Sequence, residues 1–253
     1  MKPNIVVDVG NSRIKWGRPV GNRVEDYVSL TPESPESWQE QLKQWDLGDR
    51  LVWAVAGVHP DRLHRFTNWV EKRGDHIALI HDKKLLPIKI DVVEPERVGI
   101  DRLLNAVAAR NRLMPAESIV IIDAGSAVTV DWVDKDGVFR GGAILPGLQM
   151  MAKALHDYTA ALPLVEVSQC APGHILPGNS TVSAIRGGVF WAVAGGITAL
   201  IRLFAARTEP YLRPVIYLTG GDAQILLPLL PSEVKLSPTL TLEGIRIAAE
   251  ALP

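Results

Sequence analysis

An aspartate placed where an apolar run meets a tight turn has something to hold or a turn to shape. Residues 5–12 read IVVDVGNS: Asp8 nearly closes the run, Val9, Gly10, Asn11 and Ser12 follow, and Arg13, Ile14 and Lys15 lead into the next run. Small residues at such a turn let a phosphate approach, Asn11 and Ser12 can donate to its oxygens, and Lys15 adds a point charge. A carboxylate belongs beside a phosphate when Mg²⁺ lies between them, because Mg²⁺ takes one or two carboxylates and fills its shell with phosphates and water. A single copy is better explained as a hairpin in which Asp and Asn serve turn geometry. The second copy moves the balance. Residues 118–134, SIVIIDAGSAVTVDWVD, repeat the apolar run, an Asp (Asp123), a Gly (Gly125) and a hydroxyl (Ser126), and Thr219-Gly220-Gly221-Asp222 makes a third glycine loop. No G-x-x-x-x-G-K-[ST] or G-x-G-x-x-G spacing occurs, so these are neither P-loops nor dinucleotide fingerprints.

A further cluster opens the amphipathic stretch 99–112. Gly99, Ile100, Asp101 and Arg102 fit two readings equally from spacing alone. Asp101 caps or complements a helix, or Arg102 holds an anionic group while Asp101 accepts a proton from a hydroxyl. Together with phosphate turns, the second reading is the minimum that phosphoryl transfer asks for. Asn179-Ser180-Thr181 is a helix-start signal that would also suit a carboxylate ligand. The histidines show no zinc spacing, there is no G-x-S-x-G elbow, and the seven tryptophans are scattered along the chain.

The elements that must position these residues follow from periodicity. Strands are expected at 5–9, 13–17 and 23–30 as an antiparallel meander, then at 51–57 and 76–81, with helices at 36–45, 59–74 and 99–112. The pattern restarts at 118: strand, turn, strand, a third strand over 137–147, long helices, and a last strand at 214–223 that ends in the glycine loop. In this alignment Trp16 falls one place from Trp132. The reading is an α/β chain of two similar halves, 1–114 and 115–253, divided near Met114-Pro115. The apolar run 189–201 is expected to be a buried helix, too short to span a bilayer. A net charge of −1 without a basic block points to no nucleic-acid or membrane partner. The start MKPN lacks the pattern of a signal peptide and Cys170 has no partner cysteine, so a cytoplasmic protein is expected.

Taken in order, DVGNSRIKWG, EPERVGIDRLLNA, IIDAGSAVTVDWVD, GVFRGGAILPGLQMMAKALHDYTAALPLVEV, GNSTVSAIRGG and TGGDA resemble the motifs of the type III pantothenate kinases. The resemblance implies a duplicated actin-like, ribonuclease H-like ATPase fold: two halves, each a mixed sheet with flanking helices, and a cleft between them. It implies ATP-dependent phosphorylation of pantothenate to 4′-phosphopantothenate, the first step of coenzyme A synthesis, in a homodimer. Carried onto this chain, Asp8, Val9, Gly10, Asn11, Ser12, Arg13, Ile14, Lys15 and Ser126 would contact ATP, with Asp8 near Mg²⁺. Asp101 would be the base. Gly99, Ile100, Asp101, Arg102, His156 and Thr181 would contact pantothenate, and Asp123 would bind K⁺ or NH₄⁺. Ser12 and Ser126 stand where Thr is common, Gly187 where Ser is common, and Val92 where some members have Tyr. The alternatives are a non-catalytic ligand-binding relative and a kinase for another small hydroxy acid; the intact Asp8, Asp101, Arg102 and Asp123 weigh against the first.

Overall fold

The computed structural model describes residues 2–112, 114, 116–167, 176–208 and 213–252; Pro115, Cys170 and His174 lie outside them. The chain forms two compact units, Met1–Arg112 with Thr239–Pro253, and Leu113–Pro238.

In the first unit the Val/Ile/Trp-rich runs form strands β1 (Ile5–Val9), β2 (Ile14–Val20), β3 (Arg23–Leu30), β4 (Val52–Gly57) and β5 (His76–Leu79), ordered β3-β2-β1-β4-β5. β1, β2 and β3 run antiparallel, while β4 and β5 run parallel to β1. β2 extends three residues beyond the expected end, through Pro19. A register shift between Arg18 and Pro19 absorbs the missing N–H. One face of this sheet meets helices α1 (Pro35–Gln44) and α2 (Pro60–Lys72) in a core of Ile5, Val7, Ile14, Trp16, Trp38, Trp53 and Phe66. The tryptophans scattered in sequence converge here: Trp16 lies edge-on to Trp53 at 5.0 Å, and Trp38 to Trp69 at 5.3 Å.

Helix α3 (Ile100–Asn111) also belongs to this unit and packs against β4. The second unit repeats the topology. Strands β6 (Ile119–Ala124), β7 (Ala127–Val133), β8 (Val138–Pro146), β9 (Val215–Thr219) and β10 (Val234–Leu236) lie in the order β8-β7-β6-β9-β10. They carry the same antiparallel meander followed by parallel strands. Val120, Ile122, Val128, Val130 and Leu218 face a core completed by α4 (Leu148–Asp157), α5 (Thr181–Ala205) and the short α6 (Ala223–Leu226).

Three expectations change. The expected second half included everything to residue 253, but α7 (Leu240–Ala251) packs with the first unit. It crosses α3 so closely that a Cβ on Gly244 would sit 2.0 Å from the Leu104 carbonyl oxygen. Thr241 Oγ1 donates to Asn105 Oδ1 at 2.8 Å, and Glu243 accepts from the Val24 amide at 2.7 Å. The expected buried helix over 189–201 is a 25-residue helix, long and apolar enough by length and composition to cross a membrane, which for one helix is weak evidence. Only one face is buried, through Ile185, Val189, Phe190, Val193, Ile197 and Ile201, and Trp191 on the other is 49 % exposed. Finally, six residues separate Asp8 from its cross-strand neighbour Lys15, but five separate Asp123 from Thr129. The shorter turn makes Val130, not Trp132, the counterpart of Trp16: Trp16 pairs with Val7, and Val130 with Ile122.

Candidate functional site

Both Asp-x-Gly turns lie at the same place in the two sheets, at the C-terminal end of the central strand. In the first, the Gly10 amide donates to the Arg13 carbonyl at 3.0 Å, closing the turn and leaving Asn11, Ser12 and Arg13 exposed on its rim. Gly10 therefore shapes the turn, while its neighbours carry the donors that a phosphate would meet. The Val9 and Ile14 side chains are fully buried, so what they can offer a ligand is backbone. Asp8 and Lys15 are half-buried neighbours across β1 and β2.

The second turn is built alike, with the Gly125 amide donating to Ala127 at 3.1 Å. It is held from two sides. The Gly147 amide donates to the Ser126 carbonyl at 3.2 Å, fixing the start of α4 beside the turn. The loop after β9 lies across it: Gly220 has φ +102, and a Cβ there would come within 2.3 Å of the Ala124 oxygen, which accepts from the Asp222 amide at 2.9 Å. The first unit uses the same device without the second glycine, since the Val58 amide after β4 donates to Val9 at 3.2 Å. The apolar run ending in Gly57 is the sequence signal for this counterpart, and the reading by motif passed over it. Burial pushes the Asp222 carboxyl above the ordinary aspartate range.

Asp123 sits in a row across three strands: Thr219 pairs with it from β9 and Thr129 from β7. Both threonine hydroxyl oxygens are buried and have no hydrogen-bond partner among the described residues. Leaving a buried hydroxyl unpaired costs about 1–3 kcal/mol, so two beside one carboxylate call for a further partner. Carboxylate and hydroxyl oxygens are donors that suit a hard cation. The alternation of β7 gave no hint of Thr129, because only the register places it opposite Asp123.

At the start of α3, Gly99 is the N-cap and has no side chain to cap with. The Asp101 carboxylate folds back, accepting from the Arg102 amide at 2.9 Å, and occupies the space a Gly99 side chain would need. Ile100 is buried, while Asp101 and Arg102 are half-buried. His156 and Thr181 are not drawn to the second turn. His156 is exposed about 13 Å along α4 from Gly147, by the rise per residue, and its Nδ1 lies 2.9 Å from the Leu162 carbonyl. The cap of α5 is Ser180, in a reciprocal pair with Ser183, which leaves Thr181 exposed in the first turn. Among the described residues no group of three or more His, Cys, Asp or Glu side chains could enclose a metal.

The family model of the type III pantothenate kinases matches residues 4–203. The type III pantothenate kinase of Alkalilimnicola ehrlichii is 36% identical over 248 residues, covering 95% of each chain. That of Christiangramia forsetii is 31% identical over 249 residues, covering 98% of each. That of Rhodopirellula baltica is 45% identical over 155 residues, 60% of this chain and 53% of the relative, so that match spans about half the relative's length. Among solved structures, a conserved Baf family protein from Campylobacter jejuni superposes with TM-score 0.60 at 20% identity, covering 97% of each chain. The activator of 2-hydroxyisocaproyl-CoA dehydratase from Clostridium difficile, with bound ADPNP, gives 0.52 at 14% identity, covering 98% of this chain and 94% of that one. At these identities the likeness is one of fold, the duplicated α/β architecture of actin-like ATPases and sugar kinases.

Proposed function

The chain belongs to the type III pantothenate kinase family, whose members phosphorylate pantothenate in coenzyme A biosynthesis, and from that premise we propose how its own residues carry the transfer. Arg102 pairs with the pantothenate carboxylate, and the backbone at Gly99 and Ile100 lines the same ligand. Asp101 accepts the proton of the primary 4′-hydroxyl as that oxygen attacks the γ-phosphorus of ATP. The bond from γ-phosphorus to the bridging oxygen breaks, ADP departs with that oxygen, and the proton leaves Asp101 to solvent. Residues 8–15 and Ser126 hold the ATP phosphates, and His156 and Thr181 are assigned to pantothenate. Mg²⁺ and a monovalent cation, K⁺ or NH₄⁺, supply neutralisation of phosphate charge, with Asp8 and Asp123 as the respective protein carboxylates.

The observation that carries this reading is the pair of Asp-x-Gly turns at matching positions in duplicate sheets, together with a half-buried carboxylate at the start of α3, whose N-cap is a glycine with no side chain to cap with. Catalysis of this kind is positioning and electrostatics, which preformed turns provide. The exposed stripe Gly188, Trp191, Ala192, Gly195 and Ala199 on α5 supports a homodimer, since its small and apolar residues are spaced to meet another copy. We read the protein as a cytoplasmic enzyme without nucleic-acid or membrane partner. Coupled ADP release from ATP with pantothenate, in potassium and in choline buffer, tests the assignment; no turnover in either rejects it.

A further inference from the structure

The duplicated hairpins differ in the charge they carry. In the first, the residues flanking Asp8 on neighbouring strands are Lys15 and Ala56. In the second, the residues flanking Asp123 are Thr129 and Thr219. Residues paired in register project from the same face of a sheet, with Cβ atoms about 5 Å apart. The first row therefore brings its own ammonium group beside its carboxylate. The second brings a carboxylate and two hydroxyls, both buried and unpartnered among the described residues, Thr219 at 0 % exposure. The hydrophobic core lies on the other side of the strand, under Ile122, Ala124, Val128, Val130 and Leu218, so these hydroxyls are not core-packing groups of that layer.

We propose that Thr129 and Thr219 are ligands of the monovalent cation, their hydroxyls joining the Asp123 carboxylate to hold a diffusible ion where the first hairpin has the tethered charge of Lys15. The single positive charge that Lys15 brings to the counterpart row favours a monovalent ion in this one. Lys15 lies directly opposite Asp8, and Thr129 directly opposite Asp123. A lysine at 129 would therefore bring the ion's charge on a side chain. The inference rests on the proposed cation requirement and adds the residues that meet it.

The test uses the full chain without substrates. Melting temperature is measured across a KCl titration with choline chloride holding ionic strength constant, because an ion that binds only the native state raises it. Wild type is expected to melt higher in KCl. Thr129→Val and Thr219→Val are expected to melt at or above wild type in choline, where they remove an unpaired hydroxyl, and to need at least about tenfold more K⁺ for the same rise. Thr129→Lys is expected to lose the K⁺ response and, with ATP and pantothenate, to turn over in choline as wild type does in KCl. If wild type shows no K⁺ response in melting or turnover, the cation reading falls and this inference with it. If wild type responds and both valine variants respond equally, this inference alone is wrong. Should Thr129→Lys fail to fold, the valine pair decides.

Discussion

Replacing Gly99 with alanine separates what the start of α3 does for the fold from what it does for chemistry. Gly99 has φ −55 and ψ 134, which alanine adopts freely, so the backbone is unstrained. The added methyl would sit 2.4 Å from Asp101 Oδ1. Relief to an ordinary contact near 3.4 Å moves the carboxylate by roughly 1 Å, and the bond from the Arg102 amide is lost or lengthened. A rotation of one short side chain is cheap for the fold; losing glycine at an N-cap without a side-chain bond adds at most about 1 kcal/mol, a few degrees of melting temperature. For the reaction the same 1 Å is severe, because a base misplaced by that much loses about 10²-fold, or ~2.7 kcal/mol of barrier. Gly99→Ala should therefore lower kcat about 100-fold in the coupled ADP-release assay while KM for ATP stays within a factor of about three and melting falls by only a few degrees. Turnover within twofold of wild type, with a normal melt, would refute the placement of Asp101 as base.

Asp101→Asn should lose most of kcat yet retain pantothenate and ATP binding by calorimetry, and Gly99→Ala should add little on top of it, since both act on one carboxylate. Asp222→Asn probes the half-buried loop carboxyl. Its folded pKa is raised, so the native state is favoured while the group is protonated, and stability is lost as pH rises from 3.8 through the folded value. The melting advantage of the Asn variant should thus be near zero at the acid end, grow across that window and then level off; an advantage independent of pH would sink the idea. Trp191→Glu, placed on the exposed stripe of α5, should convert a dimer to a monomer in sedimentation velocity with little change in helicity.

Much of this architecture was legible because its signals are local. Apolar runs, turn glycines and the echo of IVVDVGNS in IIDAGSA revealed both hairpins and their duplication. What escaped depends on register and on distant contacts. The one-residue-shorter second turn could be seen by counting only after the pairing was known, and it decides that Thr129 and not Val130 faces Asp123. The tryptophans carry no periodic signal, yet Trp38, Trp45, Trp53 and Trp69 meet around Trp16 and Phe66 because α1 and α2 pack on the face of the sheet from which β2 and β4 project Trp16 and Trp53. The partner of α7 was equally hidden: its small residues say that something approaches closely, not that it is α3.

The placement of α7 also sets an order of events during synthesis. The chain leaves the first unit after Arg112, builds all of the second and returns only at Thr239. As the nascent chain emerges, residues 113–238 can assemble their sheet and helices while α3 and β1 wait for the helix that covers them. A polypeptide stopped before Thr239 would keep the second unit and both Asp-x-Gly turns but leave Leu104 and Val6 without the side chains of α7. The last helix thus acts as a latch that closes late, and truncated products would be marked for proteolysis by the open first unit.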